Sequence, residues 1–369
     1  MSPALTLGTC GFGLIAVCYG FARFAFGLFL PQIDAELSLS TSLSGFISGG
    51  SFLGYCVAIV ASAYLTERLG PRLVAIGAAL VAGIGMLGIV MATSAWWLAL
   101  AVLLAGSSTG LASPPMAAAV DKIVAPKRQS LTNTVINAGT GAGVVLSGSM
   151  ALLMEDWRLA FAGFAATALL LSVAVAFSVP GGKHKAGAKA GKVSLNALLI
   201  RLIMASFLMG AASTAVWSFG GQLLALRLDW GHTGSGLLWI AIGGAGMAGA
   251  FAGALITRFG INPVHRIFLA ALALGVLMVG MVNTTPAMAL IGGLLFGMAY
   301  IMLTGVYLVW GINALPERPA TGLMVGFLTI AVGQTAGAPV FGMMMDQLGA
   351  TPAVVAFAGL TLTAAWARG

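Results

Sequence analysis

Leu73-Val-Ala-Ile-Gly-Ala-Ala-Leu-Val-Ala-Gly-Ile-Gly-Met-Leu-Gly-Ile-Val-Met91 is a run of nineteen residues without a single charge. As a helix it would extend about 28 Å at 1.5 Å per residue, close to the ~30 Å hydrocarbon core of a bilayer. Lipid offers backbone N–H and C=O groups no partner, so a run of this kind must be helical. Working outward from it, comparable runs recur along the chain, broken at charges and at Pro, Gly and Asn clusters. The breaks predict spans at Leu5–Leu30, Leu43–Leu65, Leu73–Met91, Ala95–Val120, Ser130–Met154 and Leu159–Val179. They continue with Leu198–Leu223, Ser235–Ile256, Ile267–Val282, Pro286–Ala314, Thr321–Met345 and Thr351–Trp366, twelve in all. The ten-residue alternation of a membrane barrel is absent. Composition agrees: 60% of residues are hydrophobic, 7% are charged and the mean hydropathy is +1.04, whereas a soluble domain carries roughly 25% charged residues. The expected fold class is an all-α membrane protein.

The 52 glycines read as helix-packing residues, because small side chains let helices approach closely where lipid supplies no hydrophobic drive. Cys10, Cys18 and Cys56 lie inside apolar spans without paired spacing and read as small apolar residues. The first stretch lacks preceding basic residues and a cleavage site, so it reads as the first span rather than a removable signal. Trp157, Trp310 and Trp366 fall near span ends, where indoles anchor at the interface.

Basic residues in short loops stay cytoplasmic. With the amino terminus inside, one side collects Arg68, Arg72, Lys122, Lys127, Arg128, Lys183, Lys185, Lys189, Lys192, Arg201, Arg258, Arg266, Arg318 and Arg368. The other side holds only Arg158 and Arg227. Both termini are therefore expected in the cytoplasm. The formal charge of +8 reflects this asymmetry, so a nucleic-acid partner is not expected.

Shifting the chain against itself by 190 positions aligns Arg68-Leu-Gly70 with Arg258-Phe-Gly260, Pro126-Lys-Arg128 with Pro316-Glu-Arg318, and Asp156 with Asp346. The repeat predicts two pseudo-symmetric bundles of six spans each, over 1–180 and 195–369. A basic, Gly-rich linker over 181–194 joins them, beginning Gly181-Gly-Lys-His-Lys. Parallel repeats with a solute site between them at mid-depth are a known transporter plan.

These residues carry a resemblance. Ala63-Tyr-Leu-Thr-Glu67-Arg68-Leu-Gly70-Pro71-Arg72 resembles the loop motif of the major facilitator superfamily, and Gly253-Ala-Leu-Ile-Thr257-Arg258-Phe-Gly260 is its second copy. Ala63 stands where the motif has Gly, Glu67 where it has Asp, and Thr257 lacks the acid. With twelve spans, a half-length repeat and a central linker, the resemblance covers the chain. It implies the fold of that superfamily and a gating role for Glu67, Arg68, Gly70, Arg72, Arg258 and Gly260, with the acid facing the start of the eleventh span in the state closed on the cytoplasmic side. Tyr19-Gly-Phe-Ala-Arg23-Phe-Ala-Phe26-Gly-Leu-Phe-Leu-Pro31 is also similar to a subgroup of bacterial permeases.

Arg23 is the one charged residue well inside a span, and a mid-depth arginine costs at least ~3 kcal/mol. No Asp or Glu falls in a predicted span to pair with it. Arg23 is expected to attract an anionic group, the alternative being a structural clamp onto carbonyls or hydroxyls. Helical spacing puts Tyr19, Arg23 and Phe26 on one stripe. Ser213, offset from Arg23 by 190, shares a face with Trp217. Tyr300, Thr304 and Tyr307 line the tenth span, Asn137 lies between Asn133 and Thr140 on the fifth, and Gln334 adds an amide on the eleventh.

The resemblance implies a secondary transporter of the bacterial cytoplasmic membrane working by alternating access, and Arg23 makes a small organic anion or amphiphile its expected solute. Its expected partners are the solute, the bilayer and a coupling ion such as a proton, and the chain is expected to be monomeric. No cofactor, metal or enzymatic constellation is visible. A proton-coupled efflux pump and a non-transporting membrane sensor are the alternatives.

Overall fold

The computed structural model describes residues 3–182, 195–228 and 230–369; the basic run of the linker and Asp229 lie outside them. Among the described residues every regular element is helical. Eleven helices are long and apolar enough to cross a membrane: α1 (Ala4–Leu37), α2 (Thr41–Leu69), α3 (Pro71–Val90), α4 (Ala95–Ile123), α5 (Pro126–Leu153), α6 (Trp157–Ser178), α7 (Ala197–Trp217), α8 (Thr233–Phe259), α9 (Ile261–Gly280), α10 (Pro286–Ala314) and α11 (Thr321–Leu348). The shorter apolar helix α12 (Ala350–Trp366) brings the count to twelve.

The starts of these helices follow from local sequence. Ser40, Ser94, Asp156, Asn196 and Thr285 each accept a hydrogen bond from a backbone N–H of the first turn, and Pro71, Pro126 and Pro286 occupy first-turn positions whose missing N–H costs nothing. The α2–α3 and α8–α9 junctions turn on Gly70 (φ 87°) and Gly260 (φ 82°). These two glycines are a pair in the 190-residue alignment, and a Cβ would be strained at either one.

Successive helices alternate in direction. One end of the bundle, the terminal face, gathers both chain ends and the loops at Gly70, Val124 and Gly260; the far face gathers the loops at Ser40, Ser94, Glu155 and Gly349. On the terminal face Arg72 donates to the Val179 carbonyl at 2.7 Å and Lys122 to the Gly181 carbonyl at 2.7 Å. On the far face Arg158 ties three helices together. It donates to Glu36 at 2.6 Å, to the Val90 carbonyl at 2.7 Å and to the Ala92 carbonyl at 2.9 Å.

α1 to α6 and α7 to α12 form two six-helix halves. They meet along a seam that lies on the far side of mid-depth. There α2 packs against α11, with Gly45 and Gly49 beside the Ala338 and Thr335 carbonyls, and α5 packs against α8 through Gly148 and Gly236. Side-chain bonds lace the seam: Ser48 donates to Ser218 at 2.6 Å, Gln222 to Asp34 at 3.0 Å, and the Ser42 N–H to Asp346 at 2.7 Å.

Some expectations need correction. The first helix runs past Leu30 to Leu37 and carries Asp34 and Glu36 inside it. Asp34, beyond the predicted end of the span, accepts from the Ser44 hydroxyl at 2.7 Å as well as from Gln222. The seventh helix stops at Trp217 and resumes as a short helix, Gly220–Leu228. Trp157 and Trp310 are buried rather than interfacial: Trp157 donates to Glu36 at 2.7 Å, and Trp310 packs edge-on against His265. Trp366 is exposed.

Near mid-depth α1 approaches α5 closely, so that a methyl group on Gly143 would collide with the Ala16 carbonyl oxygen. Gly143→Ala is expected to cost about 1–3 kcal/mol by overpacking. Gly77→Ala, where a methyl would meet open space, should be neutral. Melting curves of the two purified variants compare them directly.

Candidate functional site

The site begins with an irregularity in α1. From Ala16 to Phe24 the helix is wound as a π-helix, a form that is rare and is often found at functional sites. Its i→i+5 bonds widen the turn, so residues four and five apart share a face. Tyr19, Arg23 and Phe24 therefore point one way and line a cavity of ≈ 290 Å³, while Phe26 turns away into the core.

The cavity lies between the halves and opens towards the terminal face. α1 and α2 supply Tyr19, Arg23, Phe24 and Tyr55. α5 contributes Thr134, Asn137 and Thr140; α8 contributes Met247 and Gly249 from a tightened 3-10 turn; α10 contributes Tyr300, Ile301 and Thr304; and α11 contributes Phe327 and Ile330. On α5, α8, α10 and α11 these positions lie towards the terminal-face end, and Thr134 and Asn137 are exposed to water. The far end is shut by the seam.

Arg23 is the one charged residue in the lining and is only 6% exposed. Aromatic rings surround it. Its guanidinium carbon lies 4.6 Å from the Tyr55 ring centre, 4.9 Å from Phe52, 5.1 Å from Phe24 and 5.8 Å from Tyr19, all inside the range of cation–π attraction. Its polar partner is neutral: Nη2 donates to the Gln334 amide oxygen at 2.6 Å. Arg23 Nε is buried with no partner among the described residues. Gln334 is held in turn, its Nε2 donating to Tyr300 Oη at 3.1 Å and Ser213 Oγ at 3.3 Å.

Trp217 forms the floor beside this network. Its ring stacks on Phe24 with centroids 4.0 Å apart and meets Tyr300 edge-on at 5.3 Å. Tyr19 Oη shares a hydrogen bond with Ser113 Oγ at 3.0 Å. Thr304 spends its hydroxyl on the Tyr300 carbonyl at 2.9 Å, so it presents mainly a methyl and an acceptor lone pair.

Of the residues singled out from sequence, Tyr19, Arg23, Asn137, Tyr300 and Thr304 line the cavity, and Ser213, Trp217 and Gln334 lie directly behind it. Phe26 and Tyr307 are not brought to it. Tyr307 is buried between α7 and α9, donating to the Ala205 carbonyl at 3.2 Å and paired with His265 at 3.0 Å. Phe24, Phe52 and Tyr55 escaped sequence reasoning. Regular helix spacing favoured Phe26 over Phe24, and no pattern within α2 reports that Phe52 and Tyr55 face Arg23. Glu67, Arg68, Arg72 and Arg258 stand exposed on the terminal face, where Arg68 lies 4.4 Å from the Tyr64 ring and Arg258 5.2 Å from the Phe259 ring.

Residues 12–331 match the profile of the Major Facilitator Superfamily. Among solved structures, a point mutant of the nucleoside transporter NupG superposes with a TM-score of 0.82 at 15% identity, covering 99% of this chain and 98% of that one. The D-xylose-proton symporter gives 0.80 at 15% identity, with 99% and 97% covered. An inward-facing, occupied bacterial homolog of the human lysosomal transporter Spinster gives 0.79 at 15%, with 99% and 96% covered. At such identity the likeness is one of fold. The human facilitated glucose transporter member 10 of solute carrier family 2 is 27% identical over 160 residues, 42% of this chain but only 29% of that protein's length.

The direction of opening is directly measurable in a background where Cys10, Cys18 and Cys56 are replaced by alanine. Cysteines placed at Asn137 and Thr134 should react rapidly with a water-soluble maleimide. A cysteine at Ser48, in the closed seam, should react at least ~10-fold more slowly, since buried sites react only through opening.

Proposed function

The chain belongs to the Major Facilitator Superfamily, and from that premise we propose that it is a secondary active transporter of a small organic anion, working by alternating access between its two halves. The observation that carries the anionic part is Arg23: a buried positive charge in the wall of a central cavity, with a neutral amide as its polar partner. An isolated charge at this depth is costly, and a carboxylate entering the cavity would offset that cost through a charge-assisted bond.

The division into bundles at 1–180 and 195–369, joined by the 181–194 linker, suits this mechanism, because the halves meet through close backbone approaches at small residues and a few polar links. The terminal face is assigned to the cytoplasm on the strength of its Arg and Lys excess, and with that orientation the cavity opens inward. The membrane would be the bacterial cytoplasmic membrane. The terminal-face motif, Glu67-Arg68 with Gly70 and Arg72 and its partner at Arg258 and Gly260, is assigned to the opposite, outward-open state, in which the cytoplasmic ends close. The exposure of Glu67, Arg68, Arg72, Arg258 and Gly260 in the inward-open arrangement fits that role.

Reconstitution into liposomes tests the proposal. Uptake of a carboxylate from a screened panel should fall by roughly 10–100-fold in Arg23→Gln, the loss of a charge-assisted hydrogen bond of about 1.5–3 kcal/mol. Arg23→Lys, which keeps the charge but not the fork, should retain part of the activity. Transport of neutral solutes unaffected by Arg23→Gln would sink the anionic reading; ligand binding without flux under any gradient would favour a sensor.

A further inference from the structure

The guanidinium of Arg23 carries an unfinished hydrogen-bonding edge. Nε–H and Nη2–H₂ lie on the same side of the group and present two parallel donors, the edge that a carboxylate fills with its two oxygens. Here Nη2 is taken by the amide oxygen of Gln334 at 2.6 Å, while Nε is buried and has no partner among the described residues. An amide has one acceptor oxygen and a carboxylate has two. Gln334 therefore fills half of a site shaped for an anion.

Gln334 also makes the side-chain hydrogen bond described between the two halves at the level of the cavity, where the other contacts across them are apolar or aromatic, such as Phe24 on Trp217. The other side-chain hydrogen bonds described between the halves, Ser48 to Ser218, Gln222 to Asp34 and the Ser42 N–H to Asp346, lie in the far-face seam. Arg23 belongs to α1 and Gln334 to α11, and Gln334 is anchored within its own half by Tyr300 and Ser213.

We infer that Gln334 is a built-in stand-in for the substrate: it holds Arg23 while the cavity is empty, and a monocarboxylate displaces it by bridging Nε and Nη2. This rests on the anionic reading proposed above and extends it in two ways. It names the substrate class, because one guanidinium and no second charge in the lining call for a single negative charge, and the rings of Phe24, Tyr55 and Tyr300 call for a flat apolar body beside it. It also supplies a coupling device, because loading the anion breaks the link between α1 and α11 and frees the halves to move.

The experiment measures binding of benzoate, with benzamide as its neutral analogue of the same shape, to the purified full-length protein by calorimetry. Wild type should prefer benzoate. Gln334→Ala should bind benzoate roughly 10-fold more tightly, since no existing bond has to be broken, and should gain less for benzamide, whose single acceptor oxygen fills only half of the edge. Gln334→Glu, whose own carboxylate completes the edge, should bind benzoate at least ~10-fold more weakly. If Gln334→Ala gains nothing, or Gln334→Glu binds like wild type, Gln334 is no competitor and the inference falls, even while loss of binding in Arg23→Gln upholds the anion site. If wild type and Gln334→Ala both ignore benzoate, the anionic reading fails and this inference goes with it.

Discussion

Arg23 holds a full positive charge inside the membrane at 6% exposure, and the surrounding structure is arranged around that constraint. Desolvating a guanidinium is expensive unless other interactions compensate. Here the compensation is spread out: aromatic faces from α1 and α2, one amide oxygen from α11, and an adjoining cavity that admits water. None of these neutralises the charge. The site is left electrostatically incomplete, which is the condition expected of a binding site rather than of a structural salt bridge.

Helix irregularity places these groups. The π-helical stretch of α1 sets Arg23 and Phe24 towards the cavity, and the break after Trp217 ends α7 where its counterpart in the other half passes closest. There a Cβ on Gly27 would collide with the Trp217 carbonyl. Around the break, Ser48 bonds Ser218 and Gln222 bonds Asp34, polar links of a kind that water can replace. The backbone approaches at Gly45, Gly49, Gly148 and Gly236 supply van der Waals contact without deep interlocking. Such a seam can hold the halves together and still part.

The sequence was informative wherever a single strong rule applied. Uncharged runs located the twelve helices, the 190-residue offset paired Gly70 with Gly260, which share one backbone conformation, and a lone charge in an apolar span marked Arg23. It was silent where geometry depends on tertiary contacts. Nothing local announces that α1 winds as a π-helix, so Phe26 was favoured over Phe24. Trp157 and Trp310 sit at span ends like interfacial anchors, but neighbouring helices cover them. Asp34 lies beyond the predicted end of its span, yet α1 continues past it and its carboxylate joins the seam. In each case the deciding partner lies far away in the chain.

The central claim is that the halves exchange closure of one face for closure of the other. Pulsed electron-paramagnetic distance measurements test it most directly, with one pair of spin labels at Leu43 and Leu348 on the far face and another at Leu69 and Phe259 on the terminal face, all exposed positions. The account predicts two populations whose distances change in opposite senses, with a carboxylate ligand shifting the balance between them. Distances that stay fixed on both faces, or that lengthen and shorten together, would contradict it.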